Sequence, residues 1–281
     1  MEMPDVNEVM VMGNGEVWVE GPRGLRPGGS IGSGDVALAI EQITRFSGRR
    51  VDMTSPIVDA RLPDGSRACV VLPPVAVDGP TICIRRFAST VLPLSAFAEP
   101  IIVRTLRSLV AQRRNIVVSG ATSSGKTTLV SSLAAHVPGR ERFVVIEDTT
   151  ELRIDHPHVV RLQTRPGTAE GIGRVTAQDL VRASMRLRPD RLIVGEVRGG
   201  EVVDMLLALT SGHDGCLSTV HARSPGDALD RLAVLAMRDN PQFDRRSMNE
   251  LVRQAIDVVV HVERTASGER AVTAVEEMHR G

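Results

Sequence analysis

The strongest chemical signature in the chain is Gly120-Ala121-Thr122-Ser123-Ser124-Gly125-Lys126-Thr127-Thr128. Gly120 and Gly125 bracket a short polar loop, and Lys126 and Thr127 follow at once. Glycines permit backbone conformations and close approaches that a Cβ would block. The N–H groups of such a loop can therefore converge on phosphate oxygens. Lys126 would reach the β- and γ-phosphates, and the Thr127 hydroxyl would hold Mg²⁺, with Glu147 or Glu196 assisting directly or through water. The apolar run Ile116-Val117-Val118 before the loop predicts a strand, and Leu129 to Ala135 after it predicts a helix. Strand, glycine-bounded loop and helix in that order are the setting a phosphate-binding P-loop needs, with the helix N-terminus adding favourable partial charge. Lys126 is also the sole lysine in a chain whose other basic residues are arginines. It stands where a compact point charge serves better than a planar fork. The stretch is read as a nucleoside triphosphate site.

Two acids at strand ends extend this site. Phe143-Val144-Val145-Ile146 is a continuous apolar run, the pattern of a strand buried on both faces of a parallel sheet, and it ends at Glu147-Asp148. Ligand chemistry in open α/β sheets sits beyond the carboxyl ends of the strands, where these acids could polarise a water or complete the Mg²⁺ shell. Arg191-Leu192-Ile193-Val194 runs into Gly195-Glu196, a Walker B-type strand in which Gly195 takes the place of the usual Asp. Glu196 is left to orient and deprotonate the attacking water. The stretch 201–211 is apolar nearly all round, so it is a buried helix. It delivers His213, and a strand from Cys216 to Val220 leads on to His221. These histidines read either as core or capping residues or as reporters of γ-phosphate occupancy. A metal pair is disfavoured because no third ligand lies at useful spacing.

The elements that must position these residues form two domains. Residues 1–87 read as a small α+β domain. It holds a hairpin about Gly13-Asn14-Gly15, a Gly/Pro-rich connection from Gly21 to Gly34, and a helix from Val36 to Phe46 capped by Asp35. Strands follow at 57–61, 67–72 and 81–86, with a Pro63-Asp64-Gly65 turn. The last strand closes on Arg85-Arg86-Phe87, which by itself reads as a solvated strand end. Residues 88–98 read as a linker, and 99–281 as an α/β domain opening with a helix from Pro100 to Arg113 that Ser95 caps. Thr176 caps a further helix, Ala177 to Leu187, with others over Asp227–Met237 and 247–255. Strands at 257–263 and 270–275 pair about Ser267-Gly268.

The bulk properties narrow the function class. Lys+Arg and Asp+Glu are equal at 34 each, so no global charge points to nucleic acid or anionic lipid. Aromatic residues are only 2%, too few to build the stacking platform of a single-strand binder, so no direct nucleic-acid partner is expected. Cys69, Cys83 and Cys216 are odd in number and far apart, which suits a reducing compartment and leaves no zinc site. No apolar run approaches the roughly 20 residues of a membrane span. The start of the chain lacks a basic signal-peptide region. A cytoplasmic protein is expected.

Four blocks occur in order: Gly120-x-x-x-x-Gly125-Lys126-Thr127, Ile146-Glu147-Asp148-Thr149, Arg186-x-Arg188-Pro189-Asp190-Arg191-x-Ile193-x-Gly195-Glu196-Val197-Arg198, and Thr210-x-Gly212-His213-x-Gly215-x-x-Ser218-Thr219-x-His221-Ala222. The set resembles the Walker A, Asp box, Walker B and His box of the ATPases that drive type II and type IV secretion and type IV pili. The arginine-rich Walker B approach, the run Gly195-Glu196-Val197-Arg198-Gly199-Gly200-Glu201 and the strand end Ile84-Arg85-Arg86-Phe87 look most like the tight-adherence (Tad) pilus and conjugal-transfer branch. The resemblance implies a RecA-like P-loop ATPase domain preceded by a small N-terminal domain. It further implies a homohexamer, Mg²⁺-dependent hydrolysis that powers pilus assembly or secretion, and docking on inner-membrane platform proteins at the inner face of the cell membrane. Within it, Arg85 and Arg86 are expected to reach the nucleotide phosphates, with Arg198 and Arg165 as weaker candidates. It also leads one to expect a further helical region ahead of the small domain, whereas here the first strand comes almost at once. The tetracysteine zinc module of some members cannot form from three scattered cysteines. Two other functions compete with the motor: a nucleotide-gated assembly scaffold with negligible hydrolysis, which Gly195 and the short N-terminus suggest, and a DNA translocase, which the charge and aromatic content disfavour.

Overall fold

A computed structural model describes residues 6–21, 24–47, 51–86, 90–165, 167, 172–238, 240, 242–265 and 268–278. Phe87, the first two residues of the expected linker, residues 168–171 and Ser267 lie outside the described residues. The chain divides into two compact units, Met1–Ser89 and Thr90–Gly281.

In the first unit, β1 (Glu8–Val11), β2 (Glu16–Gly21), β3 (Gly24–Ser30), β4 (Ile57–Arg61), β5 (Arg67–Val71) and β6 (Thr81–Arg85) form an antiparallel sheet in the order β3-β2-β1-β6-β5-β4. The alternating pattern of β4 and β5 puts Val58, Ala60, Ala68 and Val70 on one face, where Val36 and Ile43 of helix α1 (Ser33–Ser47) join them in a core with Val11 and Ile82. Two expectations change here. The Gly/Pro-rich connection contains strand β3, because ladder hydrogen bonds need no side chain and Pro27 sits beside a register shift on an edge strand, where proline is tolerated. Helix α1 begins at Ser33, so Asp35 lies in its first turn and does not precede it.

The second unit is built on a seven-stranded sheet among the described residues. Its strands are β7 (Ile116–Gly120), β8 (Phe143–Glu147), β9 (Val159–Gln163), β10 (Arg191–Val194), β11 (Leu217–His221), β12 (Val258–Arg264) and β13 (Arg270–Glu277). The order is β13-β12-β7-β11-β10-β8-β9, parallel throughout except for β13 against β12. Strands β7, β8 and β10 are buried along their whole length, as their unbroken apolar runs predict. Successive residues face opposite layers. Val117, Ile146, Leu192 and Val194 pack with helices α5 (Glu201–Thr210), α6 (Pro225–Arg238) and α7 (Arg245–Ala255). Val118, Val145 and Ile193 pack with α2 (Pro100–Ala111) and α3 (Lys126–Ala134). Helix α4 (Ala177–Ser184) starts on a full capping box, Thr176 with Asp179, worth about 1 kcal/mol. It then tightens into a 3₁₀ turn, Met185–Leu187.

Ser95 does not cap α2. It lies in the 3₁₀ turn Leu94–Ala96, and Glu99 precedes α2 without a side-chain cap. Part of the expected linker is packed into this unit: Leu94 and Phe97 are core residues, and the Leu92 carbonyl accepts from Ser132 Oγ at 2.6 Å. Arg113 lies beyond the end of α2, in the left-handed region at φ 57°. Among the described residues no helix is long and apolar enough to cross a membrane.

Candidate active site

The parallel register gathers the site at one edge of the sheet. Gly120 is paired with His221, and Val194 with Ile146, so β7, β11, β10 and β8 deliver Gly120, His221, Glu196 and Glu147 to the same carboxyl-end edge. The P-loop between β7 and α3 holds unusual backbone. Gly125 has φ 102°, where a glycine is needed, and Ser123 has φ 60°, a conformation that costs a non-glycine residue energy and persists where the surrounding structure over-determines it. Ser124 Oγ is buried and has no hydrogen-bond partner among the described residues. The first turn of α3 carries no acid and no side-chain cap, so its N–H groups and its lysine face the loop together.

Lys126 is almost fully buried, and its three protons are all committed. Nζ donates to the Gly120 carbonyl at 3.1 Å and the Ala121 carbonyl at 2.7 Å, and stands 3.3 Å from His221 Nδ1. Burial pushes the ammonium down to about 8, against the pull of Glu196. Burial and the adjacent Lys126 charge likewise hold His221 below its ordinary value. A neutral imidazole that accepts from lysine at Nδ1 carries its proton on Nε2, and Nε2 lies 2.7 Å from Glu196 Oε1. The other Glu196 oxygen accepts from the Arg198 guanidinium, which also reaches Asp148 at 3.5 Å. Lys126, His221, Glu196, Arg198 and Asp148 thus form one connected chain across the mouth of the loop.

Glu147 is placed differently. It is buried, and its Oε1 accepts the backbone N–H groups of Glu151 and Leu152 at 2.8 Å each. Burial raises its pKa, and those two bonds oppose the rise. Its side chain also explains the glycine in the Walker B-type strand. A Cβ on Gly195 would come within 2.9 Å of Glu147 Cγ and 3.4 Å of the Ile146 carbonyl. Position 195 has no room for the usual acid because Glu147 fills the space.

His213 does not join the cluster within this chain. It follows the C-terminal end of α5, where its Nδ1 faces the Ala208 carbonyl at 3.3 Å, and β11 runs from that end of the sheet to the P-loop end. The parallel direction of β11 separates the two histidines by the length of the strand. Arg165 lies beyond the edge strand β9 and donates through Nε to the Gly173 carbonyl of its own loop. Arg85 and Arg86 belong to the first unit. Arg85 stands opposite Glu8 and Arg67, and the Arg86 N–H donates to the Asn7 carbonyl at 2.8 Å.

Further residues lie near the P-loop. Thr219 Oγ1 donates to the Gly195 carbonyl at 2.6 Å, and Ser119 pairs with buried His261 Nδ1 at 2.8 Å. Arg270 of β13 lies directly over Gly125. Among the described residues there is no group of three or more His, Cys, Asp or Glu that would hold a metal unaided. A hydroxyl at Thr127 with carboxylates at Glu196 and Glu147 is instead the sparse oxygen set suited to Mg²⁺, which keeps several waters and is bound largely through substrate phosphates.

The family model for type II/IV secretion system proteins matches residues 31–278. The chain belongs to that family. Its relatives include a Mycobacterium tuberculosis chain provisionally named for conjugal transfer, 36% identical over 95% of this chain and 79% of that one. Another is the type IV secretion system protein PtlH of Bordetella pertussis, 34% identical over 93% of this chain and 86% of that one. Among solved structures, the VirB11 ATPase of the Brucella suis type IV secretion system is 27% identical, covers 98% of this chain and 90% of its own, and superposes with a TM-score of 0.57. The larger unit is therefore the RecA-like domain of a secretion ATPase, with a small sheet domain ahead of it.

Proposed function

We propose that this chain is a Mg²⁺-dependent ATP hydrolase that powers secretion or pilus assembly, as a ring of six copies on the cytoplasmic face of the membrane, docked on inner-membrane platform proteins. The observation that carries the hydrolytic reading is the Lys126–His221–Glu196 chain at the mouth of the P-loop. The N–H groups of residues 121–128 cradle the β-phosphate. The γ-phosphate takes over Lys126 from the Gly120 and Ala121 carbonyls. Glu196, held by His221 and Arg198, orients the attacking water and accepts its proton, while the loop and Lys126 stabilise charge on the transferring group. His221 touches both Lys126 and Glu196, so it couples phosphate occupancy to the position of the base. When Mg²⁺ is bound, Thr127 with Glu196 or Glu147 would hold it, and it would draw charge from the phosphate oxygens. Arg85 and Arg86 are further cations proposed to act on the nucleotide phosphates.

Gly195 is accounted for by the packing of Glu147, so it gives no reason to expect a site that binds ATP without hydrolysing it. The test is steady-state phosphate release from ATP with Mg²⁺ and with the metal chelated. Release that needs Mg²⁺ is expected. Binding of ATP without release would favour the scaffold, and rates that rise on adding DNA would favour a translocase.

A further inference from the structure

Arg270 takes no part in the hydrolytic chain, yet its side chain lies against the P-loop. A Cβ on Gly125 would meet Arg270 Cδ at 2.5 Å, Nε at 3.1 Å and Cγ at 3.2 Å. The arginine stem occupies the volume that the second P-loop glycine leaves open. Its Nη1 reaches Thr128 Oγ1 at 3.4 Å, on the first turn of α3. Arg264 stands directly opposite it on β12, so two like charges face each other across the hairpin.

By itself this arrangement is unfavourable. Like charges paired across strands destabilise a sheet. A cation at a helix N-terminus opposes the helix dipole, and this helix begins with Lys126 and has no acid in its first turn. Burial and Arg264 both hold the Arg270 guanidinium below its ordinary value. The buried, unpartnered Ser124 hydroxyl in the same loop is a further polar group without a mate among the described residues. An anion bound over the start of α3 relieves the opposition between Arg270 and the helix dipole.

The sheet order says which part of the nucleotide that anion is. β7 carries the P-loop, and His221 and Glu196 approach from the β11 and β10 side. Arg270 comes from the β12–β13 side, across the loop from the hydrolytic chain. We infer that Arg270 is a nucleotide-binding residue that grips the phosphate lying over Thr128, the end of the triphosphate remote from the γ-phosphate. It therefore acts on ATP and ADP alike and helps retain ADP after hydrolysis. The inference rests on the P-loop reading of this site and adds a second cation to it, delivered by the C-terminal hairpin.

Titrations of fluorescent ATP and ADP analogues against the full chain, wild type and Arg270→Gln, test it. Glutamine keeps part of the stem and a donor for Thr128 but has no charge. The expected result is a loss of about tenfold or more in affinity, equal for the two nucleotides. Arg270→Lys recovers part of it, because charge returns without the fork. Melting curves without nucleotide separate a packing role: the variant should melt at or above the wild-type temperature, and its stabilisation by ADP should shrink. Unchanged ADP affinity overturns the inference. So does a loss confined to ATP, which would put Arg270 at the γ-phosphate, or a fall in melting temperature with ADP affinity intact. If the wild type binds neither nucleotide, the P-loop reading itself fails, and that outcome is seen before any variant is made.

Discussion

The two edges of the parallel sheet in the larger unit are built from similar residue types and treat them in opposite ways. At the amino-end edge, most charged and polar groups are buried and matched, with Arg142 Nε the exception among the described residues. The Arg191 side chain is 1% exposed, with Nε 2.6 Å from Glu141 and Nη2 donating to the Val110 carbonyl at 3.0 Å. Asn115 spends its amide on Gly215, Cys216 and Ala255, and its own N–H donates to Asp257. At the carboxyl-end edge, Lys126 is held near 8, the Ser124 hydroxyl lacks a partner among the described residues, and Arg270 sits against the wrong end of a helix dipole. One edge is largely satisfied as it stands and secures the fold. The other becomes satisfied when a polyanion arrives, which is how stability is given up at a site for the sake of binding.

Substitutions on the two edges should therefore separate stability from activity. Arg191→Ala on the satisfied edge is expected to cost about 3 kcal/mol in urea unfolding, the low end for a broken buried ion pair because Arg113 remains 3.3 Å from Glu141. Nucleotide affinity of the folded fraction should stay at the wild-type level. A large loss of affinity would mean that the edges are not independent. Gly195→Ala sits between the two behaviours. Its Cβ must displace Glu147, so about 1–3 kcal/mol of stability is expected to go, together with the Glu147 bonds that hold the loop at Glu151 and Leu152. An alanine variant as stable as the wild type would show that Glu147 is not seated there.

The smallest effect expected is on pH. Lys126 binds phosphate as an ammonium, and its folded value of about 8 lies below the ordinary 10.5. Its protonated fraction falls from about nine-tenths at pH 7 to about one-tenth at pH 9, so ATP affinity should weaken about tenfold over that range. The contribution of Lys126 to the stability of the nucleotide-free fold has the opposite sign. Between about 8 and 10.5 the unfolded chain holds the extra proton, so stability from this group rises with pH. Isothermal titration and thermal melts across this range check both directions; affinity flat to pH 9 would place the ammonium in a more polar setting.

Much of this was legible in local pattern. The P-loop, the buried runs of β8 and β10 and the Thr176–Asp179 capping box are each specified within a dozen residues, where spacing and residue type carry the information. What depended on residues far apart was not. The His213 and His221 motif reads as one unit until the parallel direction of β11 puts the two rings at opposite edges. Strand β3 lacks the side-chain pattern of a strand because its pairing rests on backbone alone. Gly195 reads as a lost acid until Glu147, from a neighbouring strand, is seen in its place. Arg270 has no motif at all, and only the hairpin it belongs to brings it to Gly125.

Hydrolysis at this site depends above all on Glu196, held by His221 and Arg198, as the group that activates water. One preparation of Glu196→Gln, assayed for ATP binding and for phosphate release under the same conditions, tests it directly. Affinity should stay within about threefold of wild type, since glutamine still fills the space and Lys126 still meets the phosphates. Release should fall by about a hundredfold or more, the contribution of a positioned general base. Wild-type-like release from that variant would contradict the account.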